Sequence, residues 1–196
     1  MKYLKLFENH QTEAEVAEIC RKYNITDWKL NSDGLIDVDG DVNLYNCSLT
    51  ELPLKFRHVT DYFHCSENQL TSLEGAPHTV GGAFYCSNNK LTSLEFAPKK
   101  VHNYFDCRWN NIRSFEGLVN ISGVFYCHGN PVFEIWRIIT DQLSRDTYKW
   151  DNEKMEFFND LDIIRGEEIA IERLNFFLEE IGRPTVESVE GYKNIY

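Results

Sequence analysis

Residues 62–73 read YFHCSENQLTSL, and residues 83–94, 21 positions later, read AFYCSNNKLTSL. The pattern returns at residues 104–115 as YFDCRWNNIRSF and at residues 124–135 as VFYCHGNPVFEI. An earlier copy at residues 41–52 reads DVNLYNCSLTEL, so five copies follow one another at spacings of 21, 21, 21 and 20 residues. Such spacing is typical of repeat architectures, in which each copy adds one layer to a continuous core.

Four positions of every copy are apolar, and the first two alternate as in a β-strand. In copy order these four rows are Val42, Phe63, Phe84, Phe105 and Phe125; Leu44, Cys65, Cys86, Cys107 and Cys127; Leu49, Leu70, Leu91, Ile112 and Val132; and Leu52, Leu73, Leu94, Phe115 and Ile135. Stacked copies would place their strands side by side in a parallel sheet, about 4.8 Å apart. We therefore expect one short strand in each copy.

A fifth row is polar and consists of Cys47, Asn68, Asn89, Asn110 and Asn130. A buried Asn amide donates and accepts, so each Asn is expected to bind backbone groups of its own turn and of the next one. The Cys47 thiol would do this more weakly. The return segments contain Pro77 and Pro98, which predict an irregular or polyproline-like connection without a helix.

The row from Cys65 to Cys127 has three interpretations. Inward-facing thiols pack as small apolar groups, which is the interpretation that the spacing favours. A metal site would need a tetrahedral cluster and not a row, and disulfides between neighbouring copies would need an oxidising compartment.

Residues 1–40 are expected to cap the repeats at residues 41–135. Thr12 and Glu15 form a capping-box pattern for a helix that ends near Tyr23. The alternation from Leu35 to Val42 predicts one strand that leads into the first copy. Within it, Asp37, Asp39 and Asp41 are similar to the start of a calcium loop, but the final Glu is missing, which favours a solvated strand face.

Residues 132–184 have a helical pattern and are expected to form a C-terminal cap or a small helical module. Apolar spacing predicts one helix from Pro131 to Leu143, a second from Asn152 to about Arg165, and a third from Glu167 to Ile181. The tail at residues 185–196 is expected to be loose.

The net charge of the chain is −11, and residues 131–196 alone carry 15 acidic and 8 basic side chains. An acidic chain repels phosphate backbones, so direct nucleic-acid binding is not expected. The sequence has no apolar run of about 18 residues and no signal-peptide core near its first residue. These features predict a cytoplasmic protein that does not bind membranes.

The repeat pattern L-x-L-x-x-N/C-x-L-x-x-L resembles that of leucine-rich-repeat proteins, with Phe and Cys at the first two positions of four copies. The resemblance is closer to short repeat proteins encoded by tailed bacteriophages. It rests on DVDGDV before the first copy, TSLEGAP and F-x-C-S-x-N-x-L inside the copies, and GNP followed by helices that end in NFFLEEIG. It implies an α/β fold: a short curved solenoid with the parallel sheet on its concave side, in a bacterial host cell.

Residues between the inward positions would face outward from that sheet, and many of them carry rings. The candidate partner-binding residues are Tyr45, Tyr62, His64, Tyr85, Tyr104, Asp106, Arg108, Trp109, Tyr126 and His128. Tyrosine, tryptophan and arginine are enriched at interface hot spots, although cross-strand ring pairs could also simply stiffen the sheet.

The sequence therefore predicts a non-enzymatic protein-recognition module, without cofactor or metal, that acts on a host or viral protein. Three alternatives remain open: an acidic decoy that imitates nucleic acid through its C-terminal helices, a virion or scaffold component, and burial of the rings in a homodimer in place of a monomer. His64 and Asp106 fall two copies apart, too far for an acid–base pair.

Overall fold

The computed structural model describes residues 11–117, 121–140 and 152–196. It is a mixed α/β chain with two five-stranded sheets, one three-stranded sheet and four helices in those residues. In chain order the elements are α1 (Glu13–Lys22), β1 (Trp28–Leu30), β2 (Ile36–Val38), β3 (Val42–Asn43), β4 (Phe56–Val59), β5 (Phe63–His64), β6 (Thr79–Val80), β7 (Phe84–Tyr85), β8 (Lys100–Val101), β9 (Phe105–Asp106), β10 (Phe125–Tyr126), α2 (Val132–Thr140), α3 (Asn152–Asp160), β11 (Ile164–Arg165), β12 (Glu168–Ala170), α4 (Ile171–Glu180) and β13 (Lys193–Ile195).

Helix α1 begins as its sequence predicts. The Thr12 hydroxyl accepts a hydrogen bond from the Glu15 amide at 3.3 Å, and the Glu15 carboxylate accepts one from the Thr12 amide at 2.7 Å. These reciprocal bonds satisfy amides that have no partner within the helix. Val16 and Cys20 on its inner side are buried, which anchors the helix to the core.

The first five-stranded sheet, called the ring sheet here, contains the strands of the five sequence copies in the order β10-β9-β7-β5-β3. All its neighbours are parallel, with Phe63 paired to Phe84 and Phe84 to Phe105. Backbone bonds repeat with the same period: the Cys65 amide donates to the Tyr85 carbonyl and the Cys86 amide to the Asp106 carbonyl, both at 2.8 Å. The predicted strand of each copy is confirmed.

The second five-stranded sheet, the return sheet, has the order β1-β2-β4-β6-β8 and was not expected. After the antiparallel pair β1–β2, its strands are parallel and align Val38, Val59, Val80 and Val101, with a further bridge to Ile121. The prediction of an irregular return segment was therefore wrong. Each return carries one valine or isoleucine per copy that points into the core, and burial of this row favours a second ladder over a polyproline connection.

The strand predicted from Leu35 to Val42 is in fact two strands in two sheets. Ile36 and Val38 belong to the return sheet, whereas Val42 belongs to the ring sheet. The chain bends at Gly40, whose φ of +130° is a conformation that side chains rarely adopt. The Gly40 amide donates to the Thr60 hydroxyl at 2.7 Å, which fixes the bend against the next copy.

The core lies between the two sheets and follows the predicted rows. The phenylalanine rings of the first row stack at centroid distances of 5.6, 5.1 and 5.7 Å from Phe63 through Phe84 and Phe105 to Phe125. Phe56 of the return sheet contacts Phe63 edge-on at 5.2 Å. All inward positions are buried except Leu49 and Leu52 of the first copy, which are partly buried. The cysteine row is buried as free thiols, as the packing interpretation expects.

Each asparagine of the polar row binds its own turn and the preceding one, not the next one. The Asn89 amide nitrogen donates to the carbonyls of Cys86 and Ser87 in its own turn and to that of Cys65, at 3.0–3.3 Å, while its oxygen accepts from the Leu70 amide at 2.9 Å. Asn68, Asn110 and Asn130 repeat this arrangement. The Cys47 thiol instead donates to Tyr45 of its own turn at 3.5 Å. The expected direction was wrong, since each Asn side chain reaches the turn of the preceding copy and not that of the next one.

The C-terminal residues pack on the last copies, so they form a cap and do not stand apart. Trp136 of α2 contacts Phe115 and Phe125 at 5.6 and 5.3 Å, and Phe158 of α3 contacts Phe115 at 5.7 Å. Helix α2 begins one residue after Pro131, and the rest of its predicted length, to Leu143, lies outside the described residues.

Three predictions for the cap were wrong: the end of the second helix, the start of the third helix, and the loose tail at residues 185–196. The second helix ends at Asp160 and not near Arg165, and the third begins at Ile171 and not at Glu167, because a hairpin that turns at Gly166 pairs β11 with β12. The tail is ordered into the sheet, since β13 pairs with β12 in parallel. The Tyr192 hydroxyl also donates to the Arg113 carbonyl at 2.5 Å, which holds the tail against the repeats.

Candidate interaction surface

The outward positions of the ring sheet bring most of the predicted binding residues into one surface, called the ring surface. Strand register places Asn43, His64, Tyr85, Asp106 and Tyr126 in one row across the sheet. Tyr45, Tyr104, Arg108, Trp109 and His128 flank this row in the adjoining loops. The parallel ladder positions these side chains because each occupies the same place in its copy.

Three rings form a continuous group at the start of the row. The ring centroids of Tyr45 and His64 are 4.9 Å apart, and those of His64 and Tyr85 are 5.1 Å apart. Burial lowers the pKa of His64 and, together with the Asp106 carboxylate, raises the pKa of Tyr85. This part of the surface is therefore predominantly uncharged at neutral pH.

An ion pair divides the row. The Asp106 carboxylate accepts from Nε and Nη2 of Arg108 at 2.8 and 2.6 Å and from the Arg108 amide at 3.1 Å. Asp106 is only 3% exposed, whereas the Arg108 side chain is 37% exposed. A bidentate pair of this kind fixes the guanidinium plane. The buried Asp106 carboxylate therefore holds the partly exposed Arg108 guanidinium in one orientation at the surface.

A second ring group lies beyond the ion pair. The Arg108 guanidinium lies 5.3 Å from the centre of the Tyr126 ring, and Tyr104 lies 6.2 Å from the same ring. Trp109 contacts His128 edge-on at 5.6 Å and packs over Gly129, where a Cβ atom would lie 2.4 Å from the indole. Trp109 nevertheless keeps 55% of its surface exposed.

Other predicted positions contribute less to this surface. Tyr62 forms no ring contact among the described residues, although it interacts electrostatically with Tyr85, and its amide donates to the Asp41 carboxylate at 3.2 Å. Ser66 and Ser87 directly follow the inward cysteines, where alternation predicts outward side chains, but both are buried, and the Ser87 hydroxyl donates to the Ser66 hydroxyl at 2.9 Å. His64 and Asp106 are separated by the strand of Tyr85, and Asp106 is held by Arg108, so they do not form a pair.

The three aspartates of the DVDGD segment each bind the second copy. Asp37 pairs with Arg57, Asp39 accepts from the Thr60 hydroxyl at 3.0 Å, and Asp41 accepts from a backbone amide. Each carboxylate has a structural partner across one repeat, which accounts for the pattern without a cation. Within the described residues there is no group of three side chains suited to hold a metal ion.

The described residues contain no helix long and apolar enough to cross a bilayer. Comparisons of the chain with protein-family models, with curated proteins and with solved structures found no match. The candidate surface therefore has to be judged on its own geometry.

Proposed function

We propose that the chain is a leucine-rich-repeat solenoid that recognises a protein partner through the ring surface and carries out no reaction of its own. The 21-residue pattern and the two parallel ladders support the solenoid assignment. The setting that the sequence resemblance implies, a phage-encoded protein acting on a host or viral protein in the bacterial cytoplasm, is part of the same proposal.

The observation that carries the proposal is an exposed set of large rings around a positioned cation. Tyr45, Tyr104 and Trp109 keep 49%, 39% and 55% of their surface exposed, whereas the phenylalanine rings on the inner side of the same sheet are buried. Stacked rings lose little conformational entropy on binding because neighbours already restrict them. Arg108 adds a directional charge, and such a combination is typical of binding hot spots.

The alternative that the rings only stiffen the sheet accounts less well for the exposed members. Stacking of His64 on Tyr85 would serve that purpose, since both of these rings are partly buried. Trp109 lies outside the strands and is one of the most exposed large side chains of the described residues, so its area stabilises the sheet little. An apolar area of this size facing solvent is better accounted for by a partner.

The test is affinity capture from bacterial lysate with the wild-type chain and with a Trp109→Ala, Tyr104→Ala double variant. Loss of a hot-spot contact of about 2 kcal/mol weakens binding about 30-fold, so we expect a specific partner to be lost. Phe176→Ala is the matched control, because Phe176 is 49% exposed but lies on α4 in the cap.

Equal capture of the partner by the double variant and by the control would contradict the proposal. It would favour the acidic C-terminal residues as the binding element, as in a decoy that imitates nucleic acid. Binding through those residues would weaken steeply with salt, whereas binding through the rings would change little.

A further inference from the structure

Phe96 stands where the neighbouring copies carry glycine. Its φ is +64°, and the equivalent Gly75 and Gly117 have φ of +92° and +88°. At the two glycines a Cβ atom would lie 2.7 and 2.5 Å from carbonyl oxygens of the preceding copy, so glycine is required there. A bulky residue in this backbone region is strained, and yet Phe96 is 50% exposed.

Phe96 lies at one end of a groove of about 380 Å³ on the turns that precede the return strands. Its lining combines Leu35, Phe56 and the alanines of the two A-P turns with the charged side chains of Lys55, Glu95 and Lys99. The groove thus crosses successive copies in the direction of strand stacking. It lies on the return sheet and is separate from the ring surface.

The outward side of strands β4, β6 and β8 is basic, although the whole chain is strongly acidic. Arg57, His78 and Lys99 occupy corresponding positions in three copies, and Lys100 follows in β8. Strands β4, β6 and β8 contain no acidic residue. The apolar groove therefore lies next to a positively charged area on strands β4, β6 and β8.

Some of this charge is compensated within the molecule. Asp37 binds Arg57, and Glu74 lies 3.4 Å from Lys55, while Glu95 is an acidic side chain of the groove lining itself. Lys99 and Lys100 form no ion pair in the part of the chain that the structure describes, and both are exposed. Two positive charges without an ion-pair partner in the described residues, those of Lys99 and Lys100, therefore lie near Phe96, beside the acidic Glu95.

We propose that this groove binds an acidic, extended segment of a partner protein, with one apolar side chain of that segment against Phe96 and carboxylates beside Lys99 and Lys100. Four strands at about 4.8 Å spacing span roughly 14 Å, which an extended peptide covers with four to five residues. Strain at an exposed aromatic residue is better explained by a contact outside the chain than by folding.

The test is a titration of the isotope-labelled protein with the acetylated peptide Glu-Glu-Leu-Glu-Glu, followed by amide chemical shifts. We expect shifts confined to residues 34–36, 55–57, 76–79 and 96–102. Phe96→Gly is expected to weaken binding at least tenfold while the thermal midpoint stays within about 5 °C of the wild type, because glycine fits this backbone. Lys99→Glu should weaken binding by a similar factor, and Lys90→Glu, which lies away from the groove, should not.

Three outcomes of the titrations would overturn the proposal: no localised shifts, equal binding of the peptide by the Phe96→Gly protein, or equal shifts with octathymidylate, which would identify a general anion surface. Concentration-dependent self-association lost in Lys99→Glu would instead assign the groove to a second copy and would equally overturn it. The Trp109→Ala, Tyr104→Ala protein should bind the peptide normally, so the two proposed sites succeed or fail separately.

Discussion

The repeats and the C-terminal cap are stabilised in different ways. In the repeats one side-chain type performs the same task in successive copies, as the asparagines that bind two turns and the stacked phenylalanines do. In the cap each contact occurs once, such as the paired bonds between Asn175 and the backbone of Val186 or the Tyr192 bond to Arg113. Periodic stabilisation gives a long, regular surface, whereas the single contacts of the cap close one end of the core.

The largest expected difference between the two regions is in alkaline solution. Burial raises the pKa of Cys65, Cys86, Cys107 and Cys127, while thiols of the unfolded chain ionise near about pH 8.5. The contribution of these buried thiols to the free energy of unfolding is therefore fully present below that pH and decreases as the pH rises above it. At pH 10 each thiol accounts for a loss of about 2 kcal/mol, so the four together remove about 8 kcal/mol.

The measurement is urea unfolding under reducing conditions at pH 7.5, 9 and 10. The cap has no cysteine, and its buried Tyr192, whose pKa burial also raises, begins to contribute only above about pH 10. In hydrogen exchange at the same pH values, we therefore expect amides of the repeats to lose protection at a lower pH than amides of the cap. A free energy of unfolding that does not change between pH 7.5 and 10 would contradict this account.

A smaller effect separates two asparagines. Asn89→Ala removes bonds to four backbone groups in two copies, whereas Asn175→Ala removes two bonds to one residue. We expect losses of about 3 kcal/mol and about 1 kcal/mol in the free energy of unfolding, since buried backbone groups left without partners are penalised. Denaturant titration of both variants measures this, and equal losses would show that the periodic row is no more important than a single contact.

The smallest effect is expected at the first copy. Cys47 has no copy before it, so Cys47→Asn can add bonds only within its own turn, and we expect a change within about 0.5 kcal/mol. Asn68→Cys is the matched reverse change and should destabilise by about 2 kcal/mol, because it removes bonds to the first copy. A large gain from Cys47→Asn would mean that the residues before the first copy act as a further turn.

The periodic part of the fold could be predicted from sequence because identical residues return in identical surroundings. Phe84 and Asn89 lie 21 residues after Phe63 and Asn68, so each is expected to have the same burial and turn geometry as its counterpart. The return sheet was missed although Val59, Val80, Val101 and Ile121 recur at spacings of 21, 21 and 20, because prolines beside them favoured an irregular path. In the cap no repetition exists, and pairing of Glu168 with Lys193 depends on contacts distant in sequence.

Much of the ring surface could also be predicted, but not its internal arrangement. Alternation places Asp106 and Arg108 on one face, yet only the structure shows that the carboxylate is buried and holds the guanidinium. Phe96 was visible as the exception in EFAP beside EGAP. That Phe96 is strained follows only from its positive φ and from the close backbone contacts at the equivalent Gly75 and Gly117, and neither can be read from the sequence.

The backbone hydrogen bonds of each copy, such as that from the Cys65 amide to the Tyr85 carbonyl, reach only the adjacent copies. A 21-residue unit can therefore be duplicated or deleted as a module while the two ends stay the same. One added unit would lengthen the ring row by about 4.8 Å. The span of the surface is thus a quantity that tandem duplication can adjust, independently of the residues that line it.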